Sequence, residues 1–112
     1  MSNLDHKTVE EYILSMPNAR LDYPFGEGVA VYKVGQSDGK MFAIISEDKK
    51  PLQISLKCDP QLAITLREKY ETVLEGYHLN KKHWNTIILS GQLPWEEVQG
   101  LILHSYNLVT SN

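Results

Sequence analysis

The chain is predicted to be one α+β domain. It should have an antiparallel sheet of about four or more strands, with helices packed on one face, in the order α-β-β-β-α-β-α. Three observations lead there. Leu52, Ile54, Leu56 and Cys58 alternate with Gln53, Ser55 and Lys57, the period of a strand with one buried face and one wet face. Asp38-Gly39 stands between two β-branched and aromatic runs, which is a hairpin signal. Apolar residues recur at three- and four-residue spacing near both ends of the chain, as amphipathic helices require. Such helices must cover the apolar face of a sheet.

Each element has its own reason. Asp5 is placed to cap a helix running to about Met16, with Val9, Tyr12, Ile13 and Met16 on one side. Glu10 and Glu11 lie on the other side and, with Asp5, read as a solvated face. Pro17-Asn18 ends that helix. Asp22-Tyr-Pro-Phe-Gly-Glu-Gly28 reads as a specified loop, because one Pro and two Gly fall within it. Strands follow at Val29 to Val34, Lys40 to Ser46 and Leu52 to Cys58. Asp59-Pro60 supplies an N-cap and a proline at the first helical position for a helix to about Tyr70. Trp84 to Leu89 reads as the fourth strand. Pro94 opens a last helix to about Val109, with Val98, Leu101, Ile102, Ser105, Leu108 and Val109 on one stripe. Repeats, linkers and low-complexity segments are absent, so residues 1–112 form a single domain.

Composition bounds the function. Apolar residues make up 42% of the chain, enough for a core without disulfides, and Cys58 is the one cysteine. Its register beside Leu56 makes it a core thiol. No apolar run reaches the roughly 20 residues of a membrane span, and the N-terminus lacks the features of a signal peptide. A cytoplasmic protein without membrane contact is expected, with a monomer as the expected oligomeric state. Net charge is −3, but residues 40–85 carry eight Lys/Arg against six Asp/Glu, between two acidic ends. Chemistry is expected around Tyr77-His78-Leu79-Asn80-Lys81-Lys82-His83-Trp84-Asn85. Lys81 and Lys82 suit phosphates, Tyr77 and Trp84 suit base stacking, and Asn85 suits a polar edge. Lys57 faces the wet side of its strand and would share that face with Trp84 or Asn85. No cofactor is implied. His78 and His83, five residues apart, match neither a helix face nor a strand face, so no metal site is expected. An enzyme would need Asp22 or Glu27 to converge with His78 or His83; no catalytic constellation is recognised, and the chain is read as a non-enzyme.

Three stretches carry a resemblance: Asp22-Tyr-Pro-Phe-Gly-Glu-Gly-Val-Ala-Val-Tyr-Lys-Val-Gly35, Ser55-Leu-Lys-Cys-Asp-Pro60 and Gly76-Tyr-His-Leu-Asn-Lys-Lys-His-Trp-Asn-Thr86. They resemble the MmcQ/YjbR family of small bacterial proteins, and His104-Ser105-Tyr106 fits as well. The resemblance covers nearly the whole chain. It implies a fold like that of CyaY and the other bacterial frataxin relatives, and a family usually labelled DNA-binding. The acid-rich ridge that frataxins use for iron is not matched by Asp5, Glu10 and Glu11. On this reading the surface for DNA or a protein partner comprises Lys57, Tyr77, His78, Lys81, Lys82, His83, Trp84 and Asn85. Asp22, Tyr23, Phe25 and Glu27 would support it. The alternative is a protein-interaction or regulatory domain using the same face without nucleic acid.

Overall fold

A computed structural model describes residues 4–76 and 79–111. Its elements run α1 (His6–Leu14), β1 (Arg20–Asp22), β2 (Val29–Val34), β3 (Lys40–Ser46), β4 (Gln53–Lys57), α2 (Pro60–Lys69), β5 (Val73–Glu75), β6 (Trp84–Ile88) and α3 (Trp95–Thr110). The expected order is present, with two additions. Strands β1 and β5, three residues each, extend a six-stranded antiparallel sheet of order β1-β2-β3-β4-β6-β5. Both are edge strands. Segments this short carry no readable periodicity, and pairing to a longer neighbour is what makes them strands.

The helix starts follow local chemistry. Asp5 accepts the Thr8 N–H at 2.9 Å, and Asp59 accepts those of Gln61 and Leu62, each at 3.1 Å. These side chains satisfy amide donors that the first turn leaves without partners. One core lies between the sheet and the helices. Val9 and Ile13 of α1, Ala30 and Tyr32 of β2, Ile45 of β3, Ile54 of β4, Ile87 of β6, and Val98 and Ile102 of α3 all pack within it.

The β2–β3 hairpin turns at the expected Asp38-Gly39. Gly39 donates its N–H to the Gln36 carbonyl at 2.9 Å. The Arg20 guanidinium of β1 reaches across to the carbonyls of Gly35 (2.7 Å) and Ser37 (2.9 Å), tying the edge strand to the turn. Gly39 has φ +73°, and a Cβ there would stand 2.6 Å from Arg20 Nη2 and 3.0 Å from the Val34 carbonyl. Gly39→Ala is therefore expected to cost about 1–3 kcal/mol, from left-handed backbone strain and displacement of Arg20. A urea-denaturation midpoint indistinguishable from that of the parent chain would contradict it.

Candidate functional site

The second face of the sheet, opposite the helices, is only partly wet. Val31, Ile44 and Trp84 form a second buried cluster there, with Val29, Met41 and Leu79 packed against it. Ser55 and Thr86 sit directly opposite each other on β4 and β6, and their hydroxyls are 2.8 Å apart, also buried. The alternation along β4 is as expected, but its expected wet side lies partly under Trp84 and Leu79. An aromatic ring lying across neighbouring strands removes from water what a lone strand would expose.

Lys57 and Trp84 are direct cross-strand partners in the β4–β6 register. Four residues before Trp84, the connection into β6 is held by Asn80. Its side chain accepts the Lys82 N–H at 3.0 Å and its carbonyl accepts the His83 N–H at 3.2 Å. This is an Asx turn, the local conformation that asparagine favours. It leaves Lys81 and Lys82 exposed, while the His83 carbonyl accepts the Cys58 N–H at 2.8 Å. Lys57, Lys81 and Lys82 thus stand around one corner of the sheet. None of the three forms an ion pair among the described residues.

The remaining expected residues divide. Tyr77 and His78 lie outside the described residues. Trp84 is 7% exposed, so it is a covering residue, not a free stacking platform. Asn85 needs a larger correction. It turns to the helix side, is 2% exposed, and has both ends of its amide occupied. Its Oδ1 accepts from Arg67 at 2.6 Å and its Nδ2 donates to the Ala63 carbonyl at 3.2 Å. It anchors α2 to β6 and is buried out of a ligand's reach. One step along a strand reverses the face, and that separates Asn85 from Trp84.

The Asp22–Gly28 loop does not support this corner. It connects β1 to the start of β2, whereas Lys57 and Trp84 lie at the end of β4 and the start of β6. Four strand spacings separate β1 from β6 in the sheet, roughly 19 Å. Asp22 and His83 therefore cannot form an acid–base pair. Asp22 instead meets Lys33 at 3.2 Å and the Tyr23 N–H at 2.8 Å; that N–H, then the lysine, holds its carboxyl below the usual range. Glu27 is exposed, and Phe25 is 64% exposed at the loop tip.

Tyr23 belongs to a different cluster, which the sequence did not reveal. Its hydroxyl donates to Glu47 at 2.8 Å, and His6 Nε2 lies 2.8 Å from the same carboxylate oxygen. Glu10, expected on a solvated face, is half-buried and accepts from the Tyr32 hydroxyl; His6 Nε2 is 3.8 Å from it. Burial and then this carboxylate raise the Tyr32 phenol far above its ordinary range. The arrangement clamps α1 onto β2 and the β3–β4 connection. Among the described residues no group of three His, Cys, Asp or Glu side chains is placed to hold a metal ion.

The YjbR family model matches residues 14–108. The chain belongs to the YjbR family. It is 36% identical over 104 residues to the uncharacterized protein YbdF of Escherichia coli O157:H7, covering 93% of this chain and 83% of that protein. To the uncharacterized protein YjbR of Escherichia coli strain K12 it is 39% identical over 66 residues, 59% of this chain and 56% of that one. In three dimensions it superimposes on the DUF419 domain protein DR2400 of Deinococcus radiodurans with a TM-score of 0.92 at 34% identity, covering 96% of this chain and 80% of that one. A Pseudomonas syringae protein matches with a TM-score of 0.80 at 27% identity, covering 95% and 99%.

Within this YjbR-family chain the His104-Ser105-Tyr106 triplet has a structural role at each residue. His104 Nε2 accepts the Asp59 N–H at 3.1 Å, and Tyr106 donates to the Pro17 carbonyl at 2.6 Å while its ring meets Phe42 edge-on. Ser105 accepts the Lys57 N–H at 2.9 Å and donates to the Phe42 carbonyl. Arg67 was also missed as a site residue, since an arginine on a short helix carries no motif; besides Asn85 it reaches the Lys81 carbonyl at 3.5 Å.

Cys58 is buried on the helix side, as its register predicts. Burial, then the Asp59 carboxylate, pushes its thiol from 9.0 up to about 11. The protonated form is the one the fold favours. Its stabilising contribution is thus complete below pH 9 and is lost as pH rises through about 11. At pH 8 an alkylating reagent should modify Cys58 only at the rate of unfolding. Rapid alkylation of the native chain, followed by mass spectrometry, would contradict this.

Proposed function

We propose that this YjbR-family chain is a binding module that holds nucleic acid by its phosphates through Lys57, Lys81 and Lys82. The observation that supports this reading is their shared corner: two exposed lysines on the Asn80 turn beside a third whose cross-strand partner is Trp84. With Trp84 covered and Asn85 occupied, the described residues offer phosphate contacts but no base readout. Binding is therefore expected to be independent of sequence. Three phosphate contacts predict a slope of about −2 for log affinity against log salt on a single strand.

Fluorescence anisotropy with mixed-sequence single- and double-stranded oligonucleotides tests it. Replacing Lys81 and Lys82 together by alanine should weaken binding equally on all sequences. The single-strand salt slope should become shallower by about 1.4, with the melting temperature unchanged. A complex indifferent to salt, or no complex at low salt, would reject the reading. A protein partner is the second reading. It is favoured by the net charge of −3 and by the free backbone edge at β5.

A further inference from the structure

Strand β5 closes one side of the sheet, and its pairing to β6 determines which backbone groups point outward. The Gly76 N–H donates to the Trp84 carbonyl at 3.0 Å and the Ile88 N–H to the Thr72 carbonyl at 2.9 Å. In an antiparallel ladder the bonded residues alternate, so Thr72, Leu74 and Gly76 face β6. Val73 and Glu75 therefore turn their amide groups away from the sheet. The Val73 N–H closes locally on the Tyr70 carbonyl. The Val73 carbonyl, the Glu75 N–H and the Glu75 carbonyl have no partner among the described residues. Around β1, the Ala19 N–H bonds the Met16 carbonyl, the Tyr23 N–H bonds the Asp22 side chain, and the Tyr23 carbonyl accepts from Gly26. These bonds close the ends of β1, beyond the strand itself; the β5 edge presents a donor between two acceptors.

An open groove runs along that free edge, lined by Arg67, Val73, Leu74, Glu75, Gly76 and Lys81. Arg67 and Lys81 give it two cations against the single carboxylate of Glu75. On the other face of the sheet, Leu74 is 46% exposed. A strand added at the usual spacing of about 4.8 Å would meet these features in alternation. Residues on the helix side would face the cations, and residues on the other side would lie against Leu74.

We propose that β5 is a docking edge for an extended acidic peptide segment of a partner protein. The segment adds a seventh strand, with carboxylates toward Arg67 and Lys81 and apolar side chains beside Leu74. Backbone bonds to Val73 and Glu75 supply affinity, and the alternating side chains supply selection. This site does not depend on the nucleic-acid reading, although Lys81 borders both.

The probe is a short blocked peptide alternating glutamate and valine, titrated into the labelled full chain by NMR, with a lysine–valine peptide as control. The acidic peptide should shift the amides of Val73 to Gly76, with the Glu75 amide moving downfield as it gains an acceptor. Glu75→Pro removes that donor without removing a sheet bond. It should weaken the peptide roughly tenfold, the value of one hydrogen bond, and leave oligonucleotide binding intact. Glu75→Lys, which keeps the N–H and adds a cation, should tighten the acidic peptide by about threefold. Equal binding of the basic peptide, shifts confined to other residues, or a Glu75→Lys variant that binds more weakly would overturn the proposal. So would self-association of the free chain abolished by Glu75→Pro, since the occupant would then be a second copy.

Discussion

Ser105→Ala is expected to destabilise the chain by about 2–5 kcal/mol, a large effect for the loss of one oxygen atom. Pairing between β3 and β4 runs from Ser46↔Gln53 to Ala43↔Leu56. The next rung would join the Phe42 carbonyl to the Lys57 N–H. The β2–β3 register shifts at Tyr32/Lys33, which makes Phe42 an extra residue in β3, and this rung is not formed. The Ser105 hydroxyl of α3 occupies the gap, accepting from Lys57 and donating to Phe42. It is fully buried. Alanine would leave a buried donor and a buried acceptor without partners, each costing about 1–3 kcal/mol. Equilibrium urea unfolding measures the loss. A change below about 0.5 kcal/mol, within the range of ordinary surface substitutions, would show that the strands close the rung themselves. Because the Lys57 backbone hangs from this bond, the same variant should also disturb the lysine corner.

Trp84→Ala is expected to cost about 3–5 kcal/mol, as removal of a large buried aromatic does. Trp84 joins Val31 and Ile44 in the second cluster, and its neighbour Gly76 leaves no slack: a Cβ on that glycine would stand 2.7 Å from Trp84 Cβ. Loss of the ring would uncover this cluster and the Ser55–Thr86 pair. The variant should therefore unfold at lower denaturant before any binding defect can be assigned to stacking. Trp84→Phe, which keeps much of the cover, should recover most of the stability. If Trp84→Ala retained full stability and lost only oligonucleotide binding, Trp84 would be a recognition residue, not a cover.

Ser105 and Trp84 differ from the residues that act locally. Asp5, Asp59-Pro60 and Asp38-Gly39 act within a few residues of themselves, so the caps and the hairpin were legible without a structure. The four long strands and three helices followed from periodicity, because one buried face imposes a period on the sequence. Ser105 was visible on the apolar stripe of α3, but nothing along the chain could say which broken rung it fills. Glu10 looked solvated because, His6 apart, its partner Tyr32 lies far along the chain.

The candidate corner divides in the same way. The Lys81-Lys82 pair and the Trp84–Asn85 dipeptide could be singled out by residue type alone. Which of Trp84 and Asn85 shares a face with Lys57 depended on the β4–β6 register, a contact between residues nearly thirty positions apart. The sequence by itself therefore determined the four longer strands, the three helices, the core thiol and the family. Tertiary structure decided that Asn85 is an anchor, that the Asp22–Gly28 loop lies at another corner, and that β1 and β5 exist at all. The physical reason is one of range: caps, turns and amphipathic periods are short-range, whereas register, edge pairing and burial are set by partners the chain meets only after folding.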